Sequence, residues 1–89
     1  MNENEREAIM EQGRQAKTIL DTPLFNQVIN EMRASCMEAL ESQRSYDEAA
    51  IGALWRQLKS INMLKENITT KLEHAVVEQR NADWDKDNA

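Results

Sequence analysis

IGALWRQLKSINMLKENITTKLEHA, residues 51–75, decides how this chain is read. Ile51, Leu58, Lys65 and Leu72 recur every seven residues, and Leu54, Ile61, Ile68 and Ala75 recur every seven between them. Side chains three and four apart share one side of an α-helix, so the two series merge into a single stripe, a coiled-coil seam with a lysine at one inner position. A stripe sustained over about three and a half heptads signals helix packing on helix rather than a ligand box. Nothing in the chain alternates with the period of two that a half-buried strand requires, and the predicted class is all-α.

Outward from this stretch, two breakers divide the chain. Ser45-Tyr46-Asp47-Glu48 has the spacing of a capping box, in which the serine hydroxyl meets the Glu48 amide and the glutamate reaches back to the Ser45 amide. At Asp21-Thr22-Pro23, Thr22 suits an N-cap and Pro23 a first helical position, and the proline ring discourages a straight helix through its predecessor. The pattern predicts helices at residues 3–20, 23–44 and 46–82, forming one helical domain over 1–82, and a polar, frayed tail at 83–89.

The second predicted helix carries its own apolar stripe of Phe25, Ile29, Met32, Cys36 and Ala39, supported by Val28 and Leu40. A tight turn near Arg44 and Ser45 makes helices two and three an antiparallel hairpin. Its layers then pair Ala39 with Ile51, Cys36 with Leu54, Met32 with Leu58, Ile29 with Ile61, and Phe25 with Lys65. Lys65 falls where the second helix begins, so its stem can lie on Phe25 while its ammonium reaches solvent or Asp21.

At 1.5 Å per residue the third helix spans about 55 Å and the second only about 32 Å. Ile68, Leu72, Ala75 and Val76 therefore need another cover. The first helix supplies one if it folds along the end of the third with Ile9, Gly13, Ala16, Ile19 and Leu20, the two small residues permitting close approach; a neighbouring chain is the alternative. Trp55 and Leu64 flank the seam on opposite sides, and Leu24, Val28 and Leu40 widen the stripe beyond what one hairpin hides. Two hairpins pairing into a helical-bundle homodimer are the simplest cover. Core and self-association thus fall to Phe25, Ile29, Met32 and Cys36 on the second helix, and to Ile51, Leu54, Leu58, Ile61, Ile68 and Leu72 on the third.

Composition narrows the function. An 89-residue chain is one domain or less, with a marginal core unless a partner adds to it. Its single cysteine excludes an internal disulfide, and no Cys/His cluster suggests a structural metal. Sixteen acidic against 11 basic residues give a net charge of -5, which disfavours a phosphate-binding surface. The charged start, MNENEREAIM, lacks the apolar run of a signal peptide, and no 18-residue apolar stretch exists, so the expected location is cytoplasmic, without membrane contact.

Candidate chemistry is thin. His74 and Glu78 lie one turn apart, but two ligands make a weak metal site and the remaining carboxylates of a di-metal bundle are missing. Cys36 lies on the core stripe, where a small buried hydrophobe is the ordinary reading and no base accompanies it. Ser35, Ser42, Ser45 and Ser60 lack the turns that position a nucleophile, and two isolated glycines draw no phosphate loop. Asn67-Ile68-Thr69 matches a glycosylation acceptor by letters only, inside a predicted helix. Neither an enzyme nor a cofactor is expected. Arg56, Lys59 and Lys71 form a loose basic group, a solvated surface in the first instance and a nucleic-acid contact in the second. Trp84, between Asp83 and Asp85, is a frayed residue or a short docking peptide.

The junction in AKTILDTPLFNQVINEM, with Leu20-Asp21-x-Pro23-Leu24, and the stretch LWRQLKSINML, with Leu54-Trp55, Leu58-Lys59 and Leu64, resemble small helical proteins encoded by tailed bacteriophages and prophages, among or near head and packaging genes. The resemblance covers residues 13–77. It implies host cytoplasm or a virion as location and a virion or packaging component as partner; that group carries no defined activity. The first functional expectation is a non-enzymatic, homo-oligomeric interaction protein serving phage assembly or packaging, with Trp55, Leu64 and Trp84 as contacts for a larger partner. The second is a nucleic-acid-associated packaging subunit or regulator using Arg56, Lys59 and Lys71. The third is an inhibitor of a host enzyme whose acidic surface imitates nucleic acid.

Overall fold

Asn2 opens the first helix by turning its side chain onto the chain that follows. Its Oδ1 accepts from the Glu5 amide at 2.8 Å, and its Nδ2 donates to Glu5 Oε1 at 3.2 Å. A computed structural model describes residues 2–43 and 47–88, and among them three helices and no strand occur: α1, Glu3–Leu20; α2, Pro23–Glu41; and α3, Glu48–Asp87. Glu3 and Glu5 in the first turn of α1 and Lys17 in its last complement the helix dipole. The helix ends as the sequence predicts. Asp21 N–H donates to Lys17 O at 2.9 Å, Lys17 Nζ pairs with Asp21 Oδ2 at 2.5 Å, and Pro23, with no N–H to give, begins the next helix.

α2 stops at Glu41, three residues short of the predicted end at Arg44. The change is local: Ser42 N–H still donates to Glu38 O at 3.0 Å, but Gln43 N–H donates to Leu40 O at 3.4 Å, and Ala39 O, the carbonyl a further helical bond would use, accepts from Gln43 Nε2 at 3.3 Å. The predicted capping box at Ser45 and the turn at Arg44 and Ser45 lie outside the described residues. α3 begins at Glu48, and Asp47 is its cap, with Oδ1 accepting from the amides of Ala49 at 3.1 Å and Ala50 at 3.2 Å; the predicted start at Tyr46 lies outside the described residues. Its other end also differs. The segment expected to fray, 83–89, is helical through Asp87, closed by Asn88 Nδ2 donating to Trp84 O at 2.8 Å.

The chain divides into two units that share α3. In the unit of residues 23–66, α2 packs with the first half of α3. Ile29, Cys36, Leu58 and Ile61 form its buried cluster, with Phe25 against them. Ile51, Leu54 and Lys65 are half-buried. Met32 is the correction. Placed opposite Leu58 by the heptad, it is 46% exposed, because a two-helix hairpin buries only a narrow strip and Met32 lies on its flank.

The unit of residues 1–22 and 67–89 packs α1 of this same chain on the second half of α3. Gly13 and Ala16 are its buried positions on α1, and Ile68, Leu72 and Ala75 are half-buried on α3. The approach is close. A Cβ added to Gly13 would collide with the Ala75 side chain and stand 3.5 Å from both Ala75 Cα and Lys71 O, so a glycine is required where the backbones meet. Val76 and Ile19, expected under this cover, remain substantially exposed.

Candidate functional site

Apolar side chains that the fold leaves uncovered dominate the 23–66 unit. Leu24, Val28, Met32 and Met37 on α2, and Trp55, Met63 and Leu64 on α3, are between 41% and 65% exposed. Against that surplus the buried cluster is small, and among the described residues no large side chain is completely enclosed. Single exposed hydrophobics are ordinary on any protein; here seven large ones stand exposed on one hairpin.

They do not lie on one face. Between α2 and α3 runs an open groove of about 870 Å³. Val28, Glu31, Met32 and Ser35 form its α2 wall, Ala53, Arg56, Gln57 and Ser60 its α3 wall, and the buried Cys36 and Ile61 its floor. Periodicity explains the walls: 28, 32 and 35 follow one helical stripe and 53, 57 and 60 another, each one step round from its seam. A second, smaller hollow of about 300 Å³ lies along α3, lined by Trp55, Leu58, Lys59, Asn62, Met63 and Glu66.

The predicted partner contacts are therefore exposed but differently placed. Trp55 lines the smaller hollow, and Leu64 is exposed on α3. Trp84 is 65% exposed on the last turns of α3, a helical residue and not part of a frayed peptide. The basic candidates are scattered. Arg56 stands on the groove and Lys59 in the hollow beside Glu66, while Lys71, in the other unit, borders a depression with Gln12, Gln15 and Ile19.

No family model, curated protein or solved structure matches the chain. The chemistry must be read from its own residues. Cys36 is buried, and its thiol faces Gln57 Oε1 at 3.9 Å, so it packs beneath the groove instead of standing open on it. Ser60 spends its hydroxyl on Arg56 O at 2.9 Å within its own helix. Among the described residues no group of three His, Cys, Asp or Glu side chains is placed to hold a metal. No described helix is long and apolar enough to cross a membrane.

Sequence reasoning missed one arrangement in the other unit. Glu78, weighed as a metal partner of His74, is buried at 8% exposure and faces Arg6 of α1, with Nε to Oε2 at 3.5 Å. Arg6 also donates from Nη2 to Asp85 Oδ2 at 3.2 Å. One guanidinium thus spans two carboxylates a heptad apart on α3. That seven-residue spacing of Glu78 and Asp85 was visible in the sequence; their common partner was not.

Proposed function

We propose that this chain is a non-enzymatic helical interaction protein that works as a homodimer and docks on a larger protein in bacteriophage assembly or packaging. The observation that carries the reading is the apolar surplus on the 23–66 hairpin, where Val28, Met32, Trp55 and Leu64 stay exposed beside a core of four buried side chains. A short chain buries too small a share of its surface to be comfortably stable alone, and covering this surplus, part of it by a second copy and the rest by the larger partner, adds hydrophobic stabilisation of about 25 cal/mol per Å² removed from water. The assignment to phage assembly rests on the resemblance around Pro23 and Trp55. Light scattering tests the association directly: the reading predicts twice the 10.3 kDa chain mass at micromolar concentration, and a monomer across the accessible range would end it.

A further inference from the structure

The dimer reading does not say which face associates, and the two depressions of the 23–66 hairpin differ in one respect that selects between them. The smaller hollow is lined by α3 alone, with Trp55 and Met63 exposed on it. The groove has two unlike walls. On α2, Val28 and Met32 are bulky and 41% and 46% exposed, whereas the α3 wall carries the short Ala53 and Ser60 on either side of Gln57. Each wall also carries one charge, Glu31 on α2, which accepts from Gln27 Nε2 at 2.9 Å, and Arg56 on α3, and among the described residues neither makes an ion pair. Bulky apolar side chains stand on one wall and short ones on the other, and the walls carry opposite charges, so the surface has the complement of each wall on the other. Self-complementarity of this kind is what an isologous contact demands.

We propose that this groove is the homodimer interface, occupied by the α2 ridge of a second copy; the proposal rests on the association reading above. A twofold axis along the groove lays each copy's α2 antiparallel over the other's α3. Val28 and Met32 of one copy then seat over Ala53 and Ser60 of the other, and Glu31 faces Arg56 of the partner subunit, twice by symmetry. The four helices close into a bundle of the kind that buries such flanks. Trp55 stays outside it.

Because the charged pair occurs twice, reversing one sign creates two repulsions and reversing both in separate chains removes them. Glu31→Arg and Arg56→Glu exchange exposed helix-compatible residues, and circular dichroism checks that each variant keeps its helices. Under native mass spectrometry and sedimentation equilibrium, each variant alone should dimerise about tenfold or more weakly than the unaltered chain. An equimolar mixture of the two should recover a mixed dimer near the original strength, while Arg33→Glu, a charge reversal on the exposed part of α2 outside the groove, should dimerise normally. Undiminished dimers from either single variant, no recovery on mixing, or loss of the dimer in Arg33→Glu would each overturn the groove assignment and leave the homodimer intact. A monomeric unaltered chain would remove both readings, so the two failures are told apart.

Discussion

The two units of this chain use one helix and hold it by different means. In residues 23–66 the contact is made by branched and long aliphatic side chains, Ile29 against Leu58 and Ile61, with open flanks on either side. In residues 1–22 and 67–89 it is made by their near absence: Gly13 and Ala16 let α1 approach Ala75 closely, and a charged group, Arg6 over Glu78, stands where a further apolar layer would be. Burying side chains leaves a hairpin with apolar surface to spare, whereas bringing backbones together spends little side-chain area and leaves less. Seven large exposed hydrophobics accordingly lie in the first unit, against Ile19, Val76, Val77 and Trp84 in the second.

Truncation should separate the two most sharply. Leu58→Ala removes a buried side chain from the aliphatic cluster, and a loss of about 2–5 kcal/mol is expected in denaturant unfolding. Amide exchange should rise first in residues 23–66. An equal rise in 1–22 would erase the distinction between the units. Gly13→Ala does the reverse experiment by adding an atom: the new Cβ runs into Ala75, at about 1–3 kcal/mol for overpacking, partly offset by about 1 kcal/mol of helix propensity gained over glycine. Pairing it with Ala75→Gly should recover most of the loss. If Gly13→Ala alone is stabilising, close backbone approach is not what holds α1.

How much of this was written in the sequence follows the range of each contact. The all-α class, the seam through Leu58, Ile61 and Leu72, the break at Pro23 and the small-residue approach at Gly13 are all local periodicities or local sterics, and each is found where the pattern puts it. Element ends were less legible, since Ser45 and Asp47 are both good caps two residues apart, and the Asp47 carboxylate takes the Ala49 and Ala50 amides. Met32 was misread because a heptad marks which side of a helix faces inward, not how wide a strip a single partner helix covers. The polar composition of 83–89 suggested a tail. What no window of sequence contains is the Arg6 contact with Asp85, 79 residues away, which anchors that segment to α1.

That contact gives the smallest of the effects, and the one that bears most directly on what holds the second unit. Arg6 Nε is buried, has no hydrogen-bond partner and stands 3.5 Å from Glu78 Oε2, while the Asp85 end of the cluster is half open to solvent. An exposed pair contributes between nothing and about 1 kcal/mol, but a buried carboxylate left without its cation costs about 1–3 kcal/mol. Arg6→Met keeps much of the stem and deletes the charge, so the loss should fall near 1 kcal/mol, the overlap of those ranges. Salt separates charge from packing: added sodium chloride should weaken the Asp85 pair by screening, so the unaltered chain should lose slightly more stability with salt than Arg6→Met does. Adding Glu78→Gln to Arg6→Met should then restore stability, since the buried anion was the cost. If the double variant is weaker still, Glu78 is held by packing and hydrogen bonding instead of by Arg6, and α1 is fastened at Gly13 and Ala16 alone.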